Sequence, residues 1–401
     1  MKNKWKNYEA NKYITYYKKN NISKELALRI YTTHLLGREK ELVLHGGGNT
    51  SLKSSIKNIF NQKINIMYVK GSGWDMSNID HPGLPAVELD PLLKTIKLKK
   101  LNDVNMVNLV RKNLLDSNAP NPSVETLLHS FLPFKYVDHT HANAILSLID
   151  QPNDIKICQK TFGNKVGIVP YVIPGFELAK KTLQMFYKNK NIIGLVLLKH
   201  GIFTFGDSAK ESYDRMIKLV SIAEKQINKN KKKIINRNRV KKNNKQLLDK
   251  NILFPLLRKY LSFKERNGSY IKWVFDIRIN DKIIKYLEHP KLNSFTQRGP
   301  VTPDHVIRIK SKPLIIDLKN KRFDEYEKII KKEIDRFRLN YHKYFLRNKK
   351  YMYKPLELDG NPRIILIPDI GIVGIGRTKK EASIAADLAE CTVDVVSKAE
   401  S

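Results

Sequence analysis

The chain has 401 residues, of which 41% are hydrophobic, so it is long and apolar enough for two or three domains with buried cores. Its 74 Lys and Arg against 39 Asp and Glu give a net charge of +35, but no helix-turn-helix, zinc-finger or aromatic RNA-binding pattern accompanies that charge. We therefore expect no dedicated nucleic-acid role. The sequence has no apolar run of ~18 residues and no apolar leader, so we expect neither a membrane protein nor a secreted one. Two distant cysteines, Cys158 and Cys391, exclude a disulfide framework and fit a reducing cytoplasm.

Helical and strand patterns alternate over the first 228 residues. In chain order they predict a helix at 22–38, a strand at 64–69, helices at 103–115 and 124–131, strands at 136–141, 166–173 and 192–198, and a helix at 213–227. The run at 192–198 is apolar throughout, which is typical of a buried central strand. Ser208 and Glu211 form a capping box before the last helix. Residues 1–228 are thus predicted to form one α/β domain.

A basic stretch separates this domain from a second α/β region. Nine Lys or Arg and no acidic residue occur from Asn228 to Lys245, which predicts a solvated linker at 229–250. The region 251–401 is predicted to hold strands at 273–279, 306–309, 314–318 and 363–367 and helices at 323–348 and 379–396. A glycine-rich segment, 371–376, is predicted as a loop and lacks the dinucleotide-binding glycine order. No fixed-period repeat is visible.

His139 and His141 give the sharpest chemical signal. Alternate residues of a strand point to one face, so these imidazoles would project together from Cα atoms ~6.5–7 Å apart. Two imidazoles at that separation can bind one divalent metal, although an isolated His-x-His is also typical of unrelated strand-end histidines. His200 follows another apolar strand and precedes Gly201, whose backbone freedom would allow a sharp turn.

A carboxylate and two glycine-rich turns complete the candidate site. Glu125 lies at the start of a predicted helix, where it could act as a base or simply favour the helix N-terminus. The segments Gly46–Ser51 and Lys70–Gly73 offer backbone N–H groups, hydroxyls and a cation, which suit a phosphate or carboxylate as well as they suit simple tight turns.

Taken together and in this order, these segments resemble the class II aldolase/adducin family, which includes fuculose-phosphate and rhamnulose-phosphate aldolases and ribulose-phosphate 4-epimerase. The resemblance spans about residues 20–227 and rests on five segments: Gly47–Ser51, Lys70–Gly73, Pro122–Glu125, His139–His141 and Lys199–Gly201. It implies an α/β fold with a class II aldolase-like αβα layered domain, followed here by a second, smaller α/β region.

A closer resemblance covers the whole chain. Asp138–Ala144, Arg298–His305 and the segment 371–376 are similar to the aldolase part of bifunctional rhamnulose-1-phosphate aldolase/lactaldehyde dehydrogenase proteins. The dehydrogenase domain of those proteins has no counterpart in this sequence, so we expect no nicotinamide cofactor on this chain. A separate dehydrogenase is then a conceivable partner.

The resemblance also implies a role for each matching residue. His139, His141 and His200 would bind a divalent metal, zinc first, and Glu125 would be the catalytic carboxylate that moves a proton. The substrate phosphate would contact the remaining matching positions, which are Asn49, Ser51, Lys70, Ser72, Gly73 and Ser123. The implied reaction is cleavage of a ketose 1-phosphate to dihydroxyacetone phosphate and an aldehyde through an enediolate stabilised by the metal, in a homo-oligomer such as a tetramer.

Some features depart from the family or leave alternatives open. Val124 stands where many members have a second serine, and no tyrosine can be assigned as proton donor to the aldehyde product. A sugar-phosphate 4-epimerase or dehydratase would use the same metal site, and an adducin-like module would use none. Among other polar residues, His45 and His129 are interpreted as structural, and Asp304 and His305 receive no catalytic role because Thr302–Asp304 also fits a turn before a strand.

Overall fold

The computed structural model describes residues 1–231, 250–265, 268–351 and 354–400, which fall into two compact units within 1–235 and 236–400. The first unit alternates helices and strands. Its elements are α1 Asn7–Lys18, α2 Lys24–Gly37, β1 Asn49–Lys57, β2 Lys63–Val69, β3 Ala86–Glu88, α3 Leu89–Lys94, α4 Asp103–Lys112, α5 Thr126–Phe131, β4 Tyr136–Thr140, α6 Asn143–Ile149, α7 Asp154–Phe162, β5 Val166–Val169, α8 Phe176–Lys188, β6 Gly194–Leu197, β7 Gly201–Gly206 and α9 Ala209–Lys231. The predicted linker at 229–250 lies mostly outside the described residues.

One seven-stranded sheet forms the middle layer of this unit, with the order β3-β2-β1-β4-β7-β6-β5. All neighbouring strands are antiparallel except β5 and β6. Helices α2, α6 and α9 pack together on one face, whereas α3, α5 and α8 pack on the other. The apolar core on the second side joins Leu127 and Phe131 of α5 to Val137, Phe203 and Phe205 of the sheet. The expected αβα layering is confirmed.

Most predicted elements of this unit are present, with two differences. The apolar strand β6 is fully buried as predicted, but it lies next to the edge strand rather than at the centre of the sheet. Residues 46–51 were predicted only as a turn, whereas strand β1 already begins at Asn49 and pairs with both β2 and β4. The first four residues of this strand are buried, but three of them are Asn49, Thr50 and Ser51. No apolar pattern therefore marks the strand in the sequence.

The second unit is built around a smaller sheet. Its elements are α10 Lys250–Leu261, β8 Phe263–Lys264, β9 Tyr270–Ile271, β10 Val274–Arg278, α11 Asp281–Leu287, α12 Leu292–Thr296, α13 Pro303–Ile309, β11 Leu314–Ile315, α14 Phe323–Asn348, β12 Ile364–Ile367, β13 Gly371–Gly376 and α15 Lys379–Ala399. The predicted strand at 306–309 is wrong, because Pro303 at the first turn and Asp304 beside it begin helix α13 instead. The glycine-rich segment 371–376 is strand β13, not a loop.

Strand order in this second sheet is β10-β13-β12-β11. The first two pairs of neighbours are antiparallel and the last is parallel. The core joins Leu253 and Leu257 of α10, Ile330 and Ile334 of α14 and Val373 of the sheet. Within the described part of the chain, no helix is both long and apolar enough to cross a bilayer.

Candidate active site

Three adjacent strands bring the candidate residues to one end of the first sheet. Asn49 at the start of β1 lies opposite His139 on β4, and His139 lies opposite Phe203 on β7. Because alternate residues of β4 share a face, Val137 and His139 both point toward the side that carries α5. The site therefore lies where β4 ends and where the turn between β6 and β7 returns the chain.

The three predicted histidines converge there. One ligand atom from each of His139, His141 and His200 can be chosen so that all three lie within 4.8 Å of one another, and all three residues are buried. The Nε2 atoms of His139 and His141 are 3.0 Å apart. The His139 ring is stacked on Phe203, with ring centroids 4.0 Å apart, and its Nδ1 donates to the carbonyl oxygen of Ile202 at 3.0 Å. That hydrogen bond leaves Nε2 with its lone pair toward the other histidines.

Glu125 lies directly ahead of α5, with its carboxylate against this cluster. Its Oε1 is 3.2 Å from Nε2 of His200, and its Oε2 is 3.5 Å from Nε2 of His139. The side chain of Asn49 donates its Nδ2–H to Oε2. Burial alone would raise the pKa of Glu125, but the hydrogen bond from His200 and the nearby histidine charges outweigh it, so the pKa lies below its usual value. Glu125 is therefore an ionised carboxylate at neutral pH.

The histidine cluster fits a divalent metal ion. Burial, with the charge of His200, holds the pKa of His139 well below its usual value, so its imidazole is neutral and able to donate a lone pair. A tetrahedral zinc with bonds of ~2.05 Å separates its nitrogen ligands by ~3.3 Å, close to the spacing of His139 and His141. Three imidazoles with a carboxylate beside them also leave a position for a substrate oxygen, as catalytic zinc sites do.

Ser51 is near the site but does not face it. Its hydroxyl is fully buried and lies 2.9 Å from Nδ1 of His129. Residues two apart on β1 are spaced like residues one helical turn apart at the start of α5. Asn49 therefore contacts Glu125, and Ser51 contacts His129. Burial lowers the pKa of His129 to about 3, which keeps it neutral. This geometry agrees with the structural interpretation of His129 and pairs the Ser51 hydroxyl with its imidazole.

Lys70 joins the two glycine-rich segments. Its side chain is buried, and its Nζ donates to the carbonyl oxygens of Gly46 at 2.9 Å and Trp74 at 2.8 Å. A Cβ on Gly46 would lie 3.1 Å from the carbonyl oxygen of Gly73, so the two segments are in close contact. Lys70 therefore fixes these loops, and its ammonium group is already held by backbone carbonyls.

Ser72, Gly73 and Ser123 are brought together beside these loops. Ser72 and Gly73 are exposed, and the backbone N–H of Ser72 donates to the carbonyl of Asn121 at 2.7 Å. The backbone N–H of Ser123 donates to the carbonyl of Lys70 at 3.1 Å, and the Ser123 hydroxyl accepts from the N–H of Glu125 at 3.2 Å. The turn at 72–73 therefore lies beside the segment 121–123 that leads into Glu125.

The turn between β6 and β7 differs from its predicted form. Lys199, not Gly201, has the left-handed backbone conformation, with φ of 59°. Gly201 is needed for close approach instead, since a Cβ there would lie 2.5 Å from the carbonyl oxygen of Thr140 and 2.9 Å from Cδ2 of His141. The absence of a side chain at Gly201 lets β7 approach His139 of β4 and His141 just beyond its end.

A buried ion pair behind the site was not found from the sequence. Asp138 points away from the histidines, where its carboxylate contacts Nη2 of Arg29 at 2.5 Å and accepts from the hydroxyl of Ser212. Both charged side chains are fully buried. The only sequence signal was the position of Arg29 among the apolar residues of helix α2, between Leu26 and Ile30. This pair joins α2 and α9 to the strand that carries His139.

Four other polar residues lie elsewhere. His305, Asp304 and Arg377 belong to the second unit, where His305 is buried in α13 and Arg377 follows β13. His45 lies in the Gly46–Gly48 loop with φ of 45°. None of these four residues belongs to the metal cluster that the described residues form.

A family model described as "Class II Aldolase and Adducin N-terminal domain" matches residues 28–227, and one described as "Aldolase class II, second domain" matches residues 249–401. The chain is 40% identical to the N-terminal class II aldolase domain of a conserved protein from Thermoplasma acidophilum. That similarity has a TM-score of 0.50 and covers 57% of this chain and 99% of the other.

A curated relative from Bacillus subtilis, the uncharacterized oxidoreductase YuxG, is 31% identical over 365 residues. The match covers 90% of this chain but 52% of that protein, so the chain spans about half the length of this relative. Proteins of this family usually depend on a divalent metal, and the histidine cluster agrees with that requirement. From its two matched domains and its fold, the chain belongs to the class II aldolase/adducin family.

Proposed function

We propose that the chain is a metal-dependent aldehyde-lyase that cleaves a ketose 1-phosphate, similar to rhamnulose 1-phosphate, into dihydroxyacetone phosphate and an aldehyde. The observation that carries this proposal is the buried cluster of His139, His141 and His200 with the Glu125 carboxylate 3.2 Å from one imidazole and 3.5 Å from another. An interaction module has no physical need for three imidazoles and an ionised carboxylate in one buried place, because burying them costs stability.

His139, His141 and His200 would hold the metal, with zinc as the first candidate. When bound, such an ion supplies Lewis-acid polarisation of a substrate carbonyl. Glu125 would accept the proton of the substrate hydroxyl when the C–C bond breaks and return a proton to the remaining three-carbon fragment. Its ionised state suits the first of these steps, and the hydrogen bond from Asn49 fixes the carboxylate for both.

The substrate phosphate would bind at the turn that contains Ser72 and Gly73, next to Ser123. The Ser72 hydroxyl and the Gly73 N–H lie on an exposed turn, and Ser123 beside it leads directly into Glu125, which suits a phosphate attached to the same small sugar. Lys70 would shape this turn rather than contact the phosphate, because its ammonium group bonds backbone carbonyls. We keep Ser51 out of this phosphate site and give Asn49 the role of holding Glu125.

Metal analysis and two sets of variants test this function. The double variant His139→Ala/His141→Ala should lose both the metal and turnover. Glu125→Gln should retain the metal but lose turnover by ~10²-fold or more, in line with general acid–base catalysis. Glu177→Gln, a matched change at an exposed residue of α8, should leave both unchanged. Full activity of Glu125→Gln would show that its assigned role is wrong.

The products separate the competing reactions of this metal site. A panel of phosphorylated and free ketoses should give dihydroxyacetone phosphate from a ketose 1-phosphate. Retention of the carbon skeleton with one altered stereocentre would indicate a 4-epimerase, and loss of water would indicate a dehydratase. Absence of metal and of turnover on every sugar would favour an adducin-like module.

The remaining proposals concern assembly and the cell. We propose a homo-oligomer, with a tetramer as the first candidate, in the cytoplasm, and light scattering on the purified chain tests the assembly. The name of the Bacillus subtilis relative refers to oxidoreduction, whereas the residues proposed here serve bond cleavage without a nicotinamide cofactor. A separate dehydrogenase acting on the aldehyde product would connect the two activities.

A further inference from the structure

The second unit repeats the half of the first unit that carries the histidines. The strand order β4-β7-β6-β5 recurs as β10-β13-β12-β11, with the same parallel and antiparallel directions. Registers agree as well: Tyr136 lies opposite Gly206 as Val274 lies opposite Gly376. A helix follows each corresponding strand, namely α6 and α11 after the first, α8 and α14 after the parallel edge strand, and α9 and α15 after the last.

Local details of the two halves agree too. The turn before the last strand uses a left-handed non-glycine residue in both, Lys199 with φ of 59° and Asp369 with φ of 69°. After that strand, the Ser208 hydroxyl caps the N–H of Glu211, and the Glu211 carboxylate accepts from the N–H of Asp207. In the second unit, Thr378 caps the N–H of Glu381, whose carboxylate accepts from the N–H of Arg377. Shared register, turn and cap define residue-by-residue equivalence.

That equivalence shows that the second unit has no metal chemistry at the matching end. Ile277 stands at the position of His139, and Ile279 stands at that of His141. Ile370, which precedes Gly371 in the turn, stands at the position of His200. Isoleucine offers no lone pair to a metal, so any ligand of the second unit must bind by other groups.

Arginines appear at the opposite end of the second sheet. Arg363 precedes β12 where Ile193 precedes β6, and Arg377 follows β13 where Asp207 follows β7. Together with Arg308 of α13 they line a cavity of about 230 Å³. We call this cavity, with Arg308, Arg363 and Arg377, the arginine cleft.

Each arginine of the cleft is arranged differently. Arg363 lies over the buried ring of Trp273, 4.9 Å from its centroid, and is held by the Asp359 carboxylate. Arg377 contacts the Glu265 carboxylate at 2.9 Å. Arg308 is exposed, and the described residues supply no hydrogen-bond or ion-pair partner to its guanidinium group.

Arg308 is the cation of the cleft that can attract an anion, because the Asp359 and Glu265 carboxylates compensate Arg363 and Arg377. Glu381 is its one acidic lining residue, and its carboxylate already accepts from the backbone N–H of Arg377. Guanidinium groups pair with phosphate oxygens through two parallel hydrogen bonds, which makes arginine the preferred side chain for that anion. A cavity of about 230 Å³ is smaller than the ~300–1,000 Å³ of sites for drug-sized ligands, so it suits a compact ligand.

We propose that the arginine cleft is a binding site for a phosphate group, carried by a small phosphate monoester or present as free phosphate, in a unit whose positions equivalent to the three histidines hold isoleucine. Arg308 would supply the uncompensated charge, and Arg377 would close on the opposite side of the same anion. This site is separate in the chain from the catalytic residues and does not depend on the aldolase proposal.

Isothermal titration calorimetry of the full chain at low salt tests this site, with inorganic phosphate as the probe. The double variant Arg308→Gln/Arg377→Gln should bind one equivalent of phosphate fewer than the wild type, or bind it at least tenfold more weakly. Both side chains are exposed, so circular dichroism should show an unchanged fold. Arg336→Gln is the matched control, because Arg336 is an exposed arginine of α14 outside the cleft and pairs with Glu333.

Further arms separate the ligand sources and the trivial outcome. Glycerol 3-phosphate binding more tightly than phosphate would identify a monoester as the ligand, whereas the reverse order would identify free phosphate. Equal binding of malonate and phosphate would overturn the proposal, as it would show a general anion surface. Unchanged phosphate binding in the double variant would also overturn it. The turnover of the double variant under saturating sugar should stay at the wild-type level.

Discussion

Adding one methyl group at Gly201 should disturb the metal site without changing any charge or ligand. The Cβ of an alanine would lie 2.5 Å from the carbonyl oxygen of Thr140, 2.9 Å from Cδ2 of His141 and 3.1 Å from Cε1 of His139. Since Cβ atoms do not approach within 3.0 Å of such atoms, β7 and β4 must separate locally by about 0.5 Å or more. Functional sites tolerate displacements of only about 0.5 Å.

We therefore expect Gly201→Ala to weaken metal binding about 10- to 100-fold, the range found when groups that orient metal ligands are removed. Competition with a chromophoric chelator measures this affinity, and circular dichroism verifies the fold. Gly206→Ala at the other end of β7 is the matched control, because the three atoms nearest to its Cβ belong to the side chain of Glu211, which can rotate away. Equal metal affinity of Gly201→Ala and the wild type would refute the close-approach argument.

Three further predictions concern the buried polar groups around the site. Arg29→Met leaves the Asp138 carboxylate buried without its cation and should lower the free energy of unfolding by about 3–5 kcal/mol in urea titrations, whereas a loss below about 1 kcal/mol would contradict a closed buried pair. His129 has a folded-state pKa of about 3 against ~6.5 when unfolded, so the unfolded chain binds more protons and stability should fall with decreasing pH from 6.5 toward 3. His129→Asn should reduce that slope by up to about 1.4 kcal/mol per pH unit, and an unchanged slope would count against a neutral His129. Lys53→Met removes the donor to three backbone carbonyl oxygens at and after the end of α5. The free energy of unfolding, measured by thermal unfolding, should fall by about 1–3 kcal/mol, and an unchanged value would contradict the contribution of these bonds.

Local periodicity explains which parts of the site the sequence could predict. The alternation of a strand is enough to place His139 and His141 on one face, and the structure has them there. The convergence of His200 and Glu125 on that pair depends on contacts between residues 60 to 75 positions apart or 14 positions apart across a turn, which no local pattern encodes. The sequence pattern offers both positions as candidates, the family resemblance implies their common site, and both lie at the cluster.

Two departures from the expected arrangement have local causes. The family resemblance implies a phosphate contact for Ser51, but Ser51 lies two residues beyond Asn49 on the same face of β1, where its hydroxyl lies against His129. The segment 306–309 is β-branched and apolar, which predicts a strand, yet Pro303 and Asp304 begin a helix three residues earlier. In both places the start of an element, rather than its composition, decided where the side chains point.

The internal repeat escaped sequence analysis because its spacing is not constant. The two copies are 138 residues apart at their first strands, which begin at 136 and 274, and 170 residues apart at their last, which begin at 201 and 371. Part of this growth lies in α14, which has 26 residues where α8 has 13. A search for a fixed period cannot detect two copies that differ by such insertions.

The repeat also separates what the backbone supplies from what the side chains supply. Lys199 and Asp369 hold the same left-handed turn although one precedes a histidine and the other an isoleucine, so the turn does not require the metal ligand. Strand register brings positions 139 and 277 to the same place in their sheets, and only the first carries an imidazole. A shared fold thus fixes where three side chains meet, while the identity of those three side chains decides whether they bind a metal. Any function of the second unit must accordingly be found in its own charged groups.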